Sequence, residues 1–374
     1  MADIRIVPVR TGAELERFIR LPAELYRNDP HFVPPLLLER KEALTPRTNP
    51  YFEHGEAQLF LACRDGRHVG RISAQVDRLV RDPEVGHFGL LAAVDDGDVF
   101  AALLDSAEAW LRAKERRRVI GPFNLSINEE TGLLVHGFEA PPMMFMAHDP
   151  PYAAAHIEAR GYAKVKDTIA YLCDADNELP RVARLRIDAS RPASLIVRTL
   201  DTSRYYEEFD TITEVFNDAW SRNWGFVPFT RAEIRHMAKS LRPMLHPSCV
   251  AMTELHGEVI AFGILLPNLN EAIADFDGRL LPFNWLKLLL RLKRGTRTGR
   301  VPLMGIRRRH TGGVVGGIIA FLMIDQLRKA AQARGMRQIE LSWILEDNRP
   351  MRHIIEALGG VPYKTYRIYE KALG

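Results

Sequence analysis

Two stretches of the chain share one alternation of apolar and polar positions. LFLACRDGRHVGRISAQV around Gly66 and VAMTELHGEVIAFGILL around Gly257 each read as a strand, a glycine turn and a strand. About a hundred residues after each comes a similar helix end: IEARG, Ile157 to Gly161, and IEALG, Ile355 to Gly359, agree at four of five positions. At the same offset Lys166 matches Lys364 and Tyr171 matches Tyr369. The economical inference is one α/β unit used twice, which also suits a length of 374 residues. The polar, proline-interrupted stretch CDADNELPRVARLRIDASRPAS separates the copies, and LIVRTLD then opens the second as a strand. The expected division is an N-terminal domain over 1–175, a linker over 176–193 and a C-terminal domain over 194–374.

The second copy carries the more informative pattern. RVPLMGI, Arg300 to Ile306, is a strand candidate; RRRHTGGVVGG follows; IIAFLMIDQLRKAAQARG then runs as a helix to Gly335, and MRQIELSWIL alternates as a strand. Amides bared by a glycine loop at a helix N-terminus make an anion site, and Arg307, Arg308 and Arg309 beside it add positive charge. A pyrophosphate suits such a site, although Gly312, Gly313, Gly316 and Gly317 match neither the dinucleotide fingerprint nor the P-loop. After the last strand, Asp347 or Asn348 can cap a helix whose apolar positions are Met351, Ile354, Ile355 and Leu358, with Pro350 in its first turn. Capping explains one polar residue at that junction and leaves Glu346 over.

Composition narrows the classes. Fifty-one Lys plus Arg against 47 Asp plus Glu leave a net charge of +4, too small for whole-molecule attraction to nucleic acid. Cys63, Cys173 and Cys249 are isolated and odd in number, which fits buried thiols in a reducing cytoplasm and gives no metal site. MADIRIVPVR lacks the apolar segment of a secretory signal, and the longest apolar run, Gly312 to Ile324, has 13 residues where a membrane span needs about 20. One segment stands apart: LLPFNWLKLLLRLKRG, Leu280 to Gly295, sets seven leucines, Phe283 and Trp285 against Lys287, Arg291, Lys293 and Arg294. Such a helix can lie in an anionic membrane interface or be an ordinary buried amphipathic helix, and the pattern leaves both open.

Strand, glycine loop, helix, strand, then EDNRPMRHIIEALGG and YKTYRIYEK resemble the core of the GNAT superfamily of acyl-CoA N-acyltransferases. The Gly66 hairpin and YAAAHIEARGYAKVKDTIAY resemble it more weakly in the first copy. Taken with FNDAWSRNWGFVPFT, Phe216 to Thr230, these stretches are similar to a bacterial double-GNAT family, the YghO-like family with which bacterial ceramide synthases group. The fold class implied is α/β (α+β): two tandem GNAT-like domains, each a mixed twisted sheet flanked by helices, the first degenerate and the second catalytic. The activity implied is transfer of a long acyl chain from acyl-CoA, a co-substrate rather than a resident cofactor, to the amine of a sphingoid base or another lipid amine. The enzyme is expected in the cytoplasm, on the inner membrane surface where it meets its acceptor, without nucleic acid.

The resemblance also suggests roles. Cofactor binding is expected of Ile306, Arg308, Arg309, Gly312, Gly313, Gly316 and Gly317, with Asn348 near the pantetheine arm. Counting back from Gly335 puts Val315, Ile318 and Ala320 at the superfamily's loop positions, where only Ala320 conforms, so the glycines serve if the helix is longer. The position where many members carry a tyrosine acid is Ile355. An ammonium must lose a proton before its nitrogen attacks a thioester; Glu346 is the first choice of base, Glu340 the alternative, and His353 a further acid or base. Asn217, Trp220, Asn223, Trp224 and Phe226 are expected along the acceptor, against the plainer reading that these aromatics pack a core. The rival functions are a Fem-type aminoacyl transferase and a non-catalytic acyl-CoA or lipid-binding protein.

Overall fold

A computed structural model describes residues 3–374. Its strands are β1 (Arg5–Pro8), β2 (Gly55–Arg64), β3 (Arg67–Asp77), β4 (Val85–Ala93), β5 (Arg118–Gly121), β6 (Leu133–His136), β7 (Ala163–Asp174), β8 (Leu195–Thr199), β9 (Val250–Leu255), β10 (Glu258–Pro267), β11 (Thr298–Ile306), β12 (Gln338–Leu345) and β13 (Val361–Ala372). They belong to two compact units, neither contiguous in sequence. The first takes the chain up to Thr168 with Ile273–Leu288 and Lys364–Gly374; the second takes Ile169–Ala272 and Leu289–Tyr363. No helix among the described residues is long and apolar enough to cross a membrane.

Each unit follows one plan. In the first, the strand order is β1-β2-β3-β4-β5-β13; in the second it is β8-β9-β10-β11-β12-β7. Among β1 to β5 with β13, and among β8 to β12, neighbours are antiparallel except β4 with β5 and β11 with β12, which run parallel with a helix between them. The hairpins β2–β3 and β9–β10 turn through Asp65–Gly66 and His256–Gly257. All four residues have positive φ (50°, 75°, 53° and 81°), the left-handed pair a two-residue hairpin needs. The crossover helix Gly97–Ala113 buries Val99, Leu103, Ala107 and Leu111 at helical spacing, and Gly313–Ala333 buries Ile319, Met323, Leu327 and Ala330 likewise.

The sixth strand of each unit comes from the other half of the sequence. β13 closes the first unit by pairing with β5, from Tyr369 opposite Gly121 to Ala372 opposite Arg118. The end of β7 stands beside β12 in the second. The repeated residues meet through this exchange: Tyr369 Oη donates to Glu158 Oε1 (3.0 Å) inside the first unit, and Tyr171 Oη to Glu356 Oε1 (3.0 Å) inside the second. The units therefore differ from a contiguous split at 175 and 194. The expected linker 176–193 also holds a helix of its own, Arg181–Ser190.

Candidate active site

β11 and β12 pair only from Thr298–Gln338 to Val301–Leu341, yet β11 runs on to Ile306 and β12 to Leu345. The sequence gives the reason. Residue 302 is proline, which has no N–H for a ladder, and β11 carries an irregularity opposite Ile264–Leu266 at that level. Beyond it β11 stays with β10 as far as Ile306, so the two parallel strands diverge. A groove open to solvent is lined by Val301 and Met304 of β11, Leu341 of β12, Ile324 and Leu327 of the crossover helix, and Leu358. Cys173 also lines it; burial pushes its thiol up to about 11, so it stands there as a thiol and not as a nucleophilic thiolate.

A buried polar cluster marks the point of divergence. Arg300 and Glu340, opposite each other in the last-but-one pair, are 1% and 0% exposed. Arg300 Nε lies 3.3 Å from Glu340 Oε1 and donates to Ser342 Oγ at 2.8 Å; the Ser342 hydroxyl donates to Glu340 Oε1 at 2.5 Å. The guanidinium lies 4.7 Å from the centre of the Trp343 ring. On the other carboxylate oxygen, Oε2, Glu340 accepts from the hydroxyl of half-buried Tyr363 at the start of β13. Tyr363, Ser342 and Arg300 were not among the expected site residues. Pairing across 23 and 42 positions leaves no periodic trace for a sequence to display.

The glycine loop leads directly into the helix, which begins at Gly313 and runs 21 residues to Ala333. Its N-cap is Gly312, so no side chain takes the first amides, and Gly313 has φ +70°. Around Gly312, Gly313 and Gly317 a Cβ would meet nothing within 4 Å, whereas at Gly316 it would strike the Thr311 carbonyl oxygen at 2.5 Å. Gly316 thus lets the preceding turn fold against the helix, and the other three leave space above the amides. The helix is longer than the superfamily count from Gly335 implies: it begins at Gly313, so Val315, Ile318 and Ala320 lie inside it. Ile306 ends β11 just before it. Arg308 is fixed by its own N–H to Asp218 Oδ2 (2.7 Å) and by Nη1 to Ser221 Oγ (3.2 Å), and Arg309 pairs with Glu258.

The other expected residues divide. Asn348 is the N-cap of the helix Arg349–Ala357, its Oδ1 accepting from Met351 N at 3.3 Å. Glu346 lies half-buried beyond the end of β12, with its carbonyl taken by Arg352 Nη1 (2.9 Å); His353 is exposed, and Ile355 is core. Asn217 Nδ2 donates to Phe229 O and Oδ1 accepts from Phe229 N, both at 3.0 Å, so its amide fastens a loop. Trp220 stacks on Phe216 at 4.9 Å and donates from Nε1 to Met304 O (3.2 Å) in the diverging part of β11. Phe226 packs at 6.2 Å from the same Phe216, and Asn223 N closes a turn to Trp220 O. Trp224 is half-buried.

The equivalent gap in the first unit is filled. β4 and β5 pair only to His87–Ile120, and β4 continues to Ala93, but Phe123 N donates to Phe88 O and Asn124 Oδ1 accepts from Leu90 N, both at 2.8 Å. Phe123 is 2% exposed, and its carbonyl oxygen lies where a Cβ on Gly89 would stand, at 1.7 Å.

No protein-family model matches this chain. The protein named bacterial ceramide synthase in Caulobacter vibrioides (strain NA1000 / CB15N) is 51% identical over 377 residues, covering 100% of this chain and 98% of that one. Protein YghO of Escherichia coli (strain K12) is 42% identical over 364 residues, 96% of this chain and 93% of that one. Among solved structures, a tandem GNAT protein from the clavulanic acid biosynthesis pathway superposes with TM-score 0.59 at 14% identity, covering 100% of this chain and 99% of the other. A GCN5-related N-acetyltransferase from Sphaerobacter thermophilus gives 0.55 at 14% identity, over 98% and 96%. This chain belongs to the YghO-like family of tandem-GNAT N-acyltransferases, the group that includes the bacterial ceramide synthase.

Proposed function

We propose that the protein is an acyl-CoA-dependent N-acyltransferase that moves a long-chain acyl group to the amine of a sphingoid base, or a close lipid amine, drawn from an anionic membrane surface. The observation that carries this reading is the divergence of β11 and β12 beside a helix N-terminus that keeps its amides for a ligand. High identity over the whole length to a ceramide synthase supports the acceptor class. Gly312, Gly313 and Gly317 would receive the pyrophosphate, with Arg308 adding charge, and Asn348 would flank the pantetheine. The thioester would lie between the diverging strands, and the acyl chain along Val301, Leu327 and Leu341.

The neutral amine attacks the thioester carbonyl, the C–N bond forms, the C–S bond breaks, and CoA leaves as a thiolate that takes up one proton. Of the two carboxylates weighed, Glu340 stands where the strands part, and its contact with Tyr363 Oη offers a path for the amine proton; Glu346 lies beyond the strand end. Arg300 and Ser342 fix the carboxylate, and Trp220 holds the diverging part of β11. Purified protein with palmitoyl-CoA and sphinganine, 3-ketosphinganine or a water-soluble amine, followed by thiol release and mass spectrometry of the amide, tests this. The expected result is amide from a sphingoid base with stoichiometric thiol; acyl-CoA bound without thiol release on any lipid amine would overturn it.

A further inference from the structure

Twelve large apolar side chains are exposed among the described residues, and six of them fall in one short stretch: Leu281, Phe283, Trp285, Leu286, Leu289 and Leu290, at 45–75% exposure. The helix Asn284–Arg294 has no buried residue. At 100° per residue, Trp285, Leu286, Leu289 and Leu290 share one arc, while half-buried Leu288 and Leu292 lie just beyond its Trp285 edge. A helix packed on its own protein turns its apolar side inward and a polar side to water. This one turns the larger part of its apolar arc to solvent. The buried-helix reading of the segment is thereby excluded, because the residues it would hide are the ones in solvent.

Charge says what covers them. From Arg279 to Arg297 there are six Lys or Arg and no acid. Exposed Lys287 and Arg294 edge the apolar arc and exposed Lys293 continues it one turn beyond Leu289, all three with no acidic partner among the described residues, and Arg291 turns inward, Nη1 donating to Ala272 O (2.8 Å). The Trp285 indole N–H already donates to Pro282 O (2.9 Å), so that ring enters an apolar phase without stranding a donor. A second copy docked by a two-fold axis would bring these cations against their own equivalents. An anionic bilayer supplies acyl tails for the leucines and phosphate headgroups for the cations at the same depth.

We infer that the outward face of the helix Asn284–Arg294, with Leu281 and Phe283 before it, is a docking surface for anionic lipid bilayers. Exposure and charge carry this inference; only its use, bringing a membrane-dissolved amine to the cleft, rests on the function proposed above. Gly295–Arg297 join the helix directly to β11, one wall of that cleft. Flotation of the full chain with vesicles of phosphatidylglycerol and phosphatidylcholine, against pure phosphatidylcholine, reads binding without acyl-CoA or turnover. The expected result is capture by the anionic vesicles, weakened by salt. Leu286→Glu with Leu290→Glu should reduce capture at least tenfold with circular dichroism and Tm unchanged, and Lys287→Glu with Lys293→Glu should abolish the preference for anionic lipid. Both pairs should keep wild-type turnover on detergent-dispersed amine. Absence of capture at moderate salt, capture indifferent to the leucine pair, or a stable dimer that the leucine pair dissociates would each overturn the inference.

Discussion

The two units part their fourth and fifth strands alike, but they treat what lies above the gap in opposite ways. In the first, the crossover helix Gly97–Ala113 is capped by Asp96, whose Oδ1 accepts from Asp98 N (2.9 Å) and Val99 N (3.3 Å). A hydrogen bond from Arg64 Nη1 (2.7 Å) leads the causes that hold that carboxyl below its usual range, so it is charged at neutral pH, with Asp95 and Asp98 on either side. The amides that would greet a pyrophosphate are taken by a resident anion. In the second unit the same place carries Gly312 and three arginines upstream. A side-chain cap stabilises a helix by about 1 kcal/mol, which is what the second unit forgoes by leaving its amides bare. Phe123 completes the contrast by filling the first gap.

Four experiments probe that contrast. The largest effect belongs to the apex of the open cleft: Tyr363→Phe and Glu340→Gln should each lower kcat about 10²–10⁴-fold with acyl-CoA binding kept, while Glu346→Gln leaves kcat near wild type. A collapse in the Glu346 variant alone would move the base to the strand end. Next, Phe123→Ala should cost the protein about 3–5 kcal/mol in denaturant titration and create no acyl-CoA site in the first unit. A second equivalent of ligand in calorimetry would break the comparison, since the plug would then be all that separates the units.

Third, Gly312→Asp gives the second unit the first unit's cap. Its backbone is extended (φ −86°, ψ 157°) with open space around a Cβ, so Asp fits. Acyl-CoA affinity should fall about 100-fold, some 2.7 kcal/mol, with Tm unchanged or raised; unaltered affinity would remove the anion site from this loop. The smallest effect is a pH dependence peculiar to the closed unit. His87, in the last β4–β5 pair and 4.9 Å from the Phe123 ring, is pushed down to about 4 by burial. The unfolded chain takes up this proton near pH 6.5 and the folded chain does not. Stability from this group is therefore complete above pH 6.5 and is lost as pH falls toward 4, by about 2 kcal/mol at pH 5. His87→Phe should flatten the Tm profile between those limits; an equally steep profile would assign the loss elsewhere.

What could be read from the sequence was local. The hairpin turns, the crossover helix, a cap at Asp347 or Asn348 and the IEARG/IEALG repeat follow from periodicity and turn chemistry within short windows. What could not be read was partnership. Tyr171 and Tyr369 announce a repeat, but nothing local says that each bonds the glutamate of the other copy. Nothing in FNDAWSRNWG shows that Phe229 holds both ends of the Asn217 amide. The pattern of Leu280 to Gly295 gives an amphipathic helix without saying what covers it, because burial is a property of neighbours. Glu340 sits within a strand that reads as ordinary alternation, and only its partners from β11 and β13 single it out.

The exchanged sixth strand has a consequence for biogenesis. The ribosome releases the first sheet one strand short, and the stretch that completes it, Lys364–Ala372, is translated only after everything from Ile169 to Tyr363. Until then β5 offers an unpaired edge to any passing strand. Cutting the gene between its two halves should therefore yield fragments that stay soluble only when made together.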